Sequence, residues 1–486
     1  MKKSRATSAD LQLLRQCLGN IQPGSAHQAQ NPPLISEIFS PPDHANALDP
    51  QRALVVGNRG VGKSFWSAVL SHDLTREEVA KDYPRLPLKK IRAVLGFHEA
   101  AGKDEGPAPS PDVLASLIKQ NYAPEAIWHG VLLRAVRSAV TTKMPMSLKE
   151  ILIWREDDIE RAEAIMREAD ARFAKDDQIF LLVFDALDRM GRDWDTITPL
   201  TQGVLRLALD MRGYRALKAK VFMRTDQASD ENLFRFADAS KIRADAVKLV
   251  WQREELFGLT YKILTRDADT RAALARLAGS DAPDQLADSL NQDRDLQETL
   301  FYRIAGEFMG AGSKRGRTYN WIVDHLADAF GDTSPRSFLT ALQKAADSRP
   351  VPRDSVIDHN GIRAGVQNAS QVRLDQLQED YSWISKVISA LEGLEVPCEP
   401  SAFTKRWKER DTVKIIIDEA KAASKLLPLE LQAHGGSSER ALLEALKNIG
   451  VVEFRDETRI NVPDIFRVEA RIKRRGGVRP PSAGRK

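Results

Sequence analysis

Cysteine is scarce in this sequence, which has only Cys17 and Cys398 among its 486 residues. Two cysteines this far apart suggest neither a disulfide framework nor a cysteine metal site. Apolar runs as long as a membrane span are also missing, and the N-terminal stretch Met1-Lys-Lys-Ser-Arg5 lacks the apolar core of a signal peptide. We therefore expect an intracellular protein, most simply a cytoplasmic one, with no part that spans a membrane.

A strong excess of charge of one sign is absent too, since the net charge of +4 is small for this length. Hydrophobic residues at 42% and charged residues at 29% are ordinary for a globular protein, and the length suits roughly two to four domains. The C-terminal end is an exception, because eight basic residues lie between Arg467 and Lys486 beside one acidic residue, Glu469. Such an end is either a solvated tail or a contact for a nucleic-acid backbone.

A glycine-rich stretch is the strongest feature that the sequence does contain. The apolar residues Ala53-Leu-Val-Val56 predict a buried strand, and Gly57-Asn-Arg-Gly-Val-Gly-Lys-Ser64 fits the pattern G-x-x-x-x-G-K-[ST]. Glycines let such a loop close around phosphate oxygens, with N–H groups and a helix N-terminus facing the negative charge. Lys63 reaches the β- and γ-phosphates, and the Ser64 hydroxyl takes one position around Mg²⁺. The predicted nucleotide contacts are Gly57, Asn58, Arg59, Gly60, Val61, Gly62, Lys63, Ser64 and Phe65.

A second diagnostic stretch is the apolar run Gln178-Ile-Phe-Leu-Leu-Val-Phe184, which ends at Asp185. This run predicts a central parallel strand buried on both faces, and ligands bind beyond the carboxyl ends of such strands. Asp185 is therefore expected to hold Mg²⁺ opposite Ser64, directly or through water. Asp188 either orients or deprotonates the attacking water, or it caps a helix.

Further strands are predicted over residues 90–97 and 216–223, and the second of these ends in Arg224-Thr-Asp226. Polar residues at this strand end would lie beside the γ-phosphate in a doubly wound sheet. Arg224 is a candidate to sense that phosphate or to act across a subunit interface, since a guanidinium suits dispersed phosphate charge. A structural salt bridge to a nearby Asp is an equally open interpretation.

Helical spacing continues through residues 249–345, which predicts an all-helical lid. One of its helices begins with Ser334 as the cap and Pro335 in the first turn. Arg336 would project from that first turn, where a basic charge does not favour the helix dipole. A partner for Arg336, such as a phosphate or a carboxylate, is therefore expected.

The last part of the chain predicts a separate module. A helix from Ser438 to Gly450 is followed at once by a strand, a turn and a strand within Val451–Val462, as in the closing half of a winged-helix unit. By analogy of fold, such a unit carries DNA binding or protein contact. The basic residues Lys473, Arg474 and Arg475 favour nucleic acid.

Together these stretches predict an α/β fold: a P-loop NTPase with a doubly wound parallel sheet, a helical lid and a C-terminal winged-helix-like α+β module. A segment rich in Pro, Gly and charge is expected to be a linker. The expected divisions are residues 1–34 (N-terminal helix and arm), 35–248 (P-loop ATPase core), 249–346 (lid), 347–372 (linker) and 373–486 (C-terminal domain with basic tail).

With these residues in place, the chain resembles the AAA+-like branch of P-loop ATPases that contains the STAND and KAP families. Beside the P-loop, Phe184-Asp-Ala-Leu-Asp-Arg189 is similar to the KAP-type Asp-Asp-Leu-Asp-Arg. The strand end at Arg224 looks like a sensor-1 segment, and Ser334-Pro-Arg336 looks like sensor 2. The resemblance, over about residues 35–345, implies that Ser64 and Asp185 hold Mg²⁺, that Asp188 supports hydrolysis and that Arg336 reports on the γ-phosphate.

Two departures from that pattern bear on activity. Ala186 replaces the second Asp of the KAP motif, and the Asp-Glu pair usual in AAA+ proteins is missing. Both favour slow, switch-like hydrolysis over a fast motor. The long gap between Ser64 and Asp185 also implies a helical insertion in the core.

Three functions are compatible with these features. The leading hypothesis is an ATP-dependent conformational switch, with ATP and Mg²⁺ as cofactors, that signals to a protein partner or to DNA, in outline like ATPases of anti-phage defence operons. One alternative is a DNA-loading ATPase that resembles origin-recognition-type initiators. Another is a scaffold that keeps its nucleotide without hydrolysing it. Assembly of several copies is compatible with each of them.

Overall fold

In the computed structural model the chain folds into two compact units, which we call the P-loop unit (Ala26–Leu249) and the helical unit (Met1–Ser25 together with Val250–Lys486). The first helix, α1 (Ser8–Gly19), belongs to the helical unit. No described helix is long and apolar enough to cross a membrane. The structure describes residues 6–23, 32–103, 105–291, 293–423, 425–433, 438–455 and 458–474.

The P-loop unit alternates strands and helices along the chain. Its strands are β1 (Leu54–Gly57), β2 (Ile91–Phe97), β3 (Ile179–Phe184), β4 (Leu217–Arg224) and β5 (Val247–Lys248). Its helices are α2 (Ala45–Leu48), α3 (Lys63–Ser71), α4 (Asp73–Asp82), α5 (Pro111–Lys119), α6 (Pro124–Val136), α7 (Leu148–Asp157), α8 (Ile159–Lys175), α9 (Trp194–Asp210), α10 (Thr225–Ser229) and α11 (Ala239–Ala244).

The five strands form one parallel sheet in the order β2-β3-β4-β1-β5. Nearly every residue of β3 and β4 is buried, which explains why these strands have apolar runs in the sequence. Because the strands are parallel, their carboxyl ends share one edge, where the segments after β1, β3 and β4 meet. The predicted α/β P-loop fold with a doubly wound parallel sheet is confirmed.

A helical insertion separates β2 from β3, as the long gap between the two motifs predicts. Its centre is Trp128 in α6, which is fully buried and lies edge-on to Phe97 and Phe184, with ring centroids 6.3 and 5.5 Å away. The Trp128 indole donates a hydrogen bond of 2.8 Å to the carbonyl oxygen of Leu200. The insertion is therefore anchored to the last residues of β2 and β3, next to the edge where the motif residues lie.

The helical unit contains the remaining elements. Its further helices are α12 (Arg253–Leu264), α13 (Ala268–Ala278), α14 (Pro283–Ser289), α15 (Arg294–Ala305), α16 (Thr318–Leu326), α17 (Pro335–Asp347), α18 (His359–Asp380), α19 (Ile384–Ser389), α20 (Pro400–Glu409), α21 (Thr412–Ala423), α22 (Leu429–Ala433), α23 (Ser438–Asn448) and α24 (Asp464–Arg467). Its strands are β6 (Glu395–Val396), β7 (Glu453–Arg455), β8 (Arg459–Asn461) and β9 (Lys473–Arg474).

The N-terminal helix α1 packs within the helical unit. Its Leu14 and Leu18 side chains join the apolar core of that unit. The Asp10 carboxylate accepts hydrogen bonds from Arg276 of α13, which hold the pKa of Asp10 at about 2. A helix near the start of the chain is thus fixed by partners from its second half. Residues 24–31 of the predicted N-terminal arm lie outside the described residues.

The expected linker over residues 347–372 is wrong for its second half, which belongs to the long helix α18. The glycines of this segment allow two helices to pack closely and do not make the segment flexible. A Cβ on Gly361 would lie 2.8 Å from the carbonyl oxygen of Ala345, and one on Gly365 would lie 2.1 Å from that of Ala341. Helices α17 and α18 therefore approach with backbone in contact, and the lid and the C-terminal helices share one apolar core.

A β-hairpin follows α23 directly, as the sequence predicts. Strands β7 and β8 pair antiparallel, with Phe454 opposite Ile460. Ile460 also forms an antiparallel bridge with Cys398, just after β6, so that a third extended segment flanks the hairpin. This helix and hairpin give the C-terminal part a winged-helix-like α+β arrangement.

Part of the basic C-terminal end has a structural role. Arg467 is fully buried, and its Nη2 lies 2.7 Å from Oδ1 of the buried Asp464. Arg474 reaches the same carboxylate at 3.2 Å, whereas Lys473 is exposed. Arg475 lies outside the described residues. Arg467 and Arg474 therefore both pair with the buried Asp464 carboxylate. A count of charges along the sequence does not reveal this structural role.

Candidate nucleotide-binding site

The P-loop connects β1 to α3 at the carboxyl edge of the sheet. Gly60 and Gly62 have φ values of 83° and 104°, a region that glycine enters without steric cost. Gly57 has no room for a side chain, because a Cβ there would lie 2.8 Å from Cγ2 of Val61 and 3.2 Å from the carbonyl oxygen of Leu249. The glycines of the motif are therefore required by the shape of the loop.

Lys63, the first residue of α3, folds back over this loop. Its Nζ donates hydrogen bonds of 2.8 and 2.9 Å to the carbonyl oxygens of Gly57 and Asn58. Burial lowers the pKa of Lys63 to about 8, and the nearby charge of Asp185 opposes that shift. The ammonium is thus held where it can exchange carbonyl oxygens for phosphate oxygens.

Ser64 and Asp185 are in contact, although they lie in separate motifs. The Ser64 hydroxyl hydrogen-bonds the Asp185 carboxylate, which directly follows β3. Asp185 is only 3% exposed, and its N–H donates to the carbonyl oxygen of Phe97 at 3.0 Å. Burial raises the pKa of the Asp185 carboxyl, while the Ser64 hydrogen bond and the Lys63 charge act in the opposite direction.

Arg224 ends β4 and lies opposite Gly57 in the register of β1 and β4. Its guanidinium donates to the Asp226 carboxylate through Nε at 3.0 Å and through Nη2 at 2.8 Å. A third hydrogen bond, from Nη1, reaches Oδ2 of Asp188 at 3.3 Å. The structural salt bridge, which was one of the interpretations of Arg224 that the sequence left open, is therefore present. It links Arg224 to the carboxylates of Asp188 and Asp226.

Asp188 lies in the 3-10 turn Leu187–Arg189 and faces Arg224. Its interpretation as a helix cap is wrong, because the cap of α9 is Asp193. Ala186, where the KAP motif has an Asp, has a φ of 56°. That left-handed conformation is one that Asp or Asn adopts more readily than Ala.

The other predicted nucleotide contacts differ in their surroundings. Val61 is buried, whereas Asn58, Arg59 and Phe65 are half-buried. The Phe65 ring lies edge-on to Trp66, with 5.2 Å between the centroids. Contact of these side chains with a nucleotide stays a prediction.

Arg336 lies in the helical unit, whereas the other predicted site residues lie in the P-loop unit. The helix start is as predicted, since the Ser334 hydroxyl accepts a hydrogen bond from the N–H of Ser337 and Pro335 is the first residue of α17. Arg336 occupies the first turn and is half-buried. Its role in sensing a phosphate stays a prediction.

Two residues beside Arg224 were missed as site residues by the sequence reasoning. Asp226 makes two of the three hydrogen bonds just described, has a side chain only 14% exposed, and contributes to the electrostatic field at Lys63. The Thr225 hydroxyl is buried and has no hydrogen-bond partner within the described part of the chain. The sequence feature that could have identified them is their position directly after an apolar strand, which places them at the edge of the sheet where Asp185 lies.

The residues present fit Mg²⁺ bound together with a nucleotide. A hydroxyl and a carboxylate are oxygen ligands that this hard cation accepts, and Ser64 and Asp185 bring one of each together. Among the described residues, no group of three or more His, Cys, Asp or Glu side chains is arranged to hold a metal. Further oxygen ligands would therefore come from phosphates and water.

Comparison with protein-family models found no match, and comparison with curated proteins found none either. Solved structures do resemble the chain. Cdc6p from Pyrobaculum aerophilum is 12% identical over 85% of this chain and 83% of its own, with a TM-score of 0.27. The ORC2 protein of Aeropyrum pernix is 12% identical over 88% and 93%, with a TM-score of 0.39. The ORC1 protein of A. pernix, solved in complex with DNA, is 11% identical over 90% and 92%, with a TM-score of 0.33.

Proposed function

We propose that this protein binds ATP with Mg²⁺ at the P-loop and hydrolyses the ATP, as an AAA+-type ATPase. The observation that carries the proposal is the contact between Ser64 and Asp185 beside the Lys63 ammonium. Phosphoryl transfer needs a phosphate cradle, a metal ligand and a water-positioning group at one place, and the carboxyl edge of the sheet carries a candidate residue for each role. The strand order, with Arg224 at the end of β4, agrees with the AAA+ type indicated by the sequence resemblance.

Binding relies on groups that the fold already orients. Helix α3 begins at Lys63, directly after the glycine loop, and the N–H groups at a helix N-terminus stabilise a phosphate. Lys63 adds a positive charge whose hydrogen bonds to Gly57 and Asn58 are replaceable by phosphate oxygens. Mg²⁺, once bound, would neutralise charge on the β- and γ-phosphates.

Hydrolysis needs an acceptor for the proton of the attacking water, and Asp188 is our candidate. Its side chain is 25% exposed, so water reaches it, whereas Asp185 is buried against β2. Arg224 pairs with Asp188 at 3.3 Å and orients that carboxylate. Arg224 is also our candidate to stabilise negative charge that develops on the transferred phosphoryl group.

The test is ATP turnover by the full chain beside the variants Lys63→Ala and Asp188→Ala. We expect turnover to be lost in both variants, while ATP binding is lost only when Lys63 is replaced. Binding of ATP to the wild type without turnover, under any Mg²⁺ concentration tried, would favour the non-hydrolysing scaffold. Unchanged turnover in the Lys63 variant would show that the P-loop is not the catalytic site.

A second candidate function is a DNA-loading ATPase, and the exposed side of the hairpin favours it. Phe454 is 38% exposed and carries the Lys447 ammonium over its ring, 5.4 Å from the centroid. Arg455 and Arg459, opposite each other across the hairpin, are exposed as well. Basic groups interleaved with an aromatic ring suit a nucleic-acid backbone and its bases.

Turnover measured with and without duplex DNA distinguishes this function from the others. Stimulation by DNA supports a DNA-loading ATPase, whereas unchanged turnover in the presence of DNA supports a switch that signals to a protein partner.

Membership in the STAND or KAP group, a role in anti-phage defence and the assembly of several copies remain predictions. Sedimentation of the chain with and without a non-hydrolysable ATP analogue would test assembly directly.

A further inference from the structure

A cavity of about 380 Å³ lies in the P-loop unit, at the amino-terminal edge of the sheet. Its wall is built from the segment 49–53 before β1, the end of α9, the start of β4 and Asp245 before β5. The nucleotide site lies at the opposite, carboxyl edge of the same sheet. The volume falls within the range of roughly 300–1,000 Å³ that small-molecule sites occupy.

Three cationic side chains line this cavity, namely Arg52, Arg212 and Lys218. The two guanidiniums share one carboxylate, since Asp245 lies 3.2 Å from Arg52 and 2.7 Å from Arg212. Lys218 is largely buried, and its Nζ donates to the carbonyl oxygens of Tyr214 at 2.6 Å and of Arg212 at 3.5 Å. One carboxylate thus serves two arginines, and the lysine is held by main-chain oxygens.

A fourth cation fixes the wall of the cavity from behind. Lys220 is fully buried on the same face of β4 as Lys218, two residues along the strand. Its Nζ donates to the carbonyl oxygens of Asp49, at 2.6 Å, and of Arg52. These oxygens belong to the first and fourth residues of the lining segment, so Lys220 holds that segment in place. Burial lowers the pKa of Lys220 to about 7.

Two further carboxylates at or near the cavity accept main-chain hydrogen bonds. The Asp49 carboxylate accepts a hydrogen bond of 2.9 Å from the N–H of Gln51. Asp170, outside the lining, accepts main-chain hydrogen bonds from residues 215–217 at the start of β4. Three cationic and two anionic side chains line the cavity, so its surface keeps a net positive charge. An anion that enters it would replace the Asp245 carboxylate as the partner of the two guanidiniums and add the Lys218 ammonium.

We propose that this cavity is a second anion site, which takes free phosphate or the phosphate group of a small phosphorylated molecule. Arg52 and Arg212 act as a pair of planar donors, and Lys218 adds a point charge from the floor. The site is independent of the nucleotide at the P-loop, because the two share no residue and lie at opposite edges of the sheet.

The test measures binding of radiolabelled inorganic phosphate by equilibrium dialysis in a Lys63→Ala background, which removes the P-loop ammonium. We expect one saturable site per chain. Arg212→Gln and Lys218→Met should each weaken it at least tenfold, whereas Lys175→Met, an exposed lysine of α8, should leave it unchanged. Competition by AMP, a phosphate monoester, would identify a phosphorylated molecule as the ligand, and its failure to compete would identify free phosphate.

The proposal is overturned if no saturable site remains in the Lys63→Ala background, or if neither cavity variant weakens binding. The two variants guard against a folding artefact, since Lys218 is buried but the Arg212 side chain is 38% exposed. Unchanged thermal unfolding of Arg212→Gln, together with a loss of phosphate binding, would assign the loss to the site itself.

Discussion

The Arg224 guanidinium lies 3.3 Å from the Asp188 carboxylate, so an ion pair joins the end of β4 to the turn that follows β3, at the edge of the sheet that carries the P-loop. A second carboxylate, Asp226, binds the same guanidinium through two shorter hydrogen bonds. Because Asp226 is held more tightly, it is the residue that fixes Arg224. Asp188 keeps its other oxygen for a different partner, and that difference leads to the first prediction.

Replacement of Asp188 by Asn should lower kcat for ATP by about 100-fold and change KM little, because it removes a proton acceptor and keeps the size of the side chain. The matched control is Asp226→Asn, which weakens the hold on Arg224 but leaves the Asp188 carboxylate in place. We expect that control to lower kcat by less than about tenfold. Steady-state turnover over a range of ATP concentrations gives both constants. Equal losses in the two variants would mean that Asp188 acts only through Arg224.

The pKa of about 8 for Lys63 predicts an ATP affinity that depends on pH. The ammonium is charged below that pH and loses its proton above it, so Kd for ATP should increase as the pH rises through about 8. The increase is at most about tenfold per pH unit, since one proton is involved. Titration with a fluorescent ATP analogue from about pH 6.5 to about pH 9.5 measures it.

Lys63→Arg is the control for that titration, because a guanidinium stays ionised throughout the range. Its affinity for ATP is expected to be lower and independent of pH. A slope equal to that of the wild type would assign the pH dependence to another group.

Replacement of Gly57 by Ala should weaken ATP binding at least about tenfold and destabilise the P-loop unit by roughly 1–3 kcal/mol. The reason is steric, since the new Cβ would lie 2.8 Å from Val61 and 3.2 Å from a main-chain oxygen. Gly213→Ala is the matched control, because a Cβ there meets nothing within 4 Å and φ is not positive. Thermal unfolding and ATP titration of both variants check this. If the two variants had the same thermal stability and the same ATP affinity, the P-loop would accommodate the added methyl group without loss of either.

The parts of the fold that sequence reasoning predicted are those with local signals. The loop motif specifies its own conformation through Gly57, Gly60 and Gly62, and the buried run before Asp185 marks a central strand by itself. Both motifs end at strand termini, and parallel strands bring their carboxyl ends together. The contact between Ser64 and Asp185 therefore follows from two local patterns and one rule of topology.

The parts of the fold that sequence reasoning missed depend on contacts between segments that are distant in the chain. Glycine at 361 and 365 indicates flexibility in a sequence, whereas here each allows α18 to lie against the backbone of α17. Asp10 pairs with Arg276, and no periodicity in either helix points to the other. Arg467 reads as one charge in a basic tail, although it is fully buried beside Asp464. Only the tertiary structure shows which role each of these residues has.

That buried pair leads to a prediction about stability. Arg467→Met should lower the free energy of unfolding by about 3 kcal/mol or more, because it leaves the buried Asp464 with weaker partners. Arg471→Met is the control, since its ion pair with Glu392 is long at 3.5 Å and exposed, and such pairs contribute less than about 1 kcal/mol. Urea unfolding of the full chain measures both. A loss of equal size in the two variants would contradict a structural role specific to Arg467.

Binding of DNA by the hairpin predicts a definite change in salt dependence. The double variant Arg455→Ala and Arg459→Ala should bind duplex DNA more weakly, and the slope of log K against log salt should fall by about one for each phosphate that the protein no longer neutralises. Lys473→Ala tests the described part of the basic end in the same way, whereas Arg474 is left intact because it supports the buried Asp464. Lys408→Ala, an exposed lysine of α20, is the control.

Fluorescence anisotropy between about 50 and about 200 mM salt gives these slopes, because binding to phosphates releases counterions and binding to other groups does not. If the hairpin variant keeps the wild-type slope while the slope falls in Lys473→Ala, the basic end rather than the hairpin binds the DNA. If every variant keeps the wild-type slope, the hairpin and its exposed Phe454 are better explained as a surface for a protein partner, and the DNA-loading function is wrong.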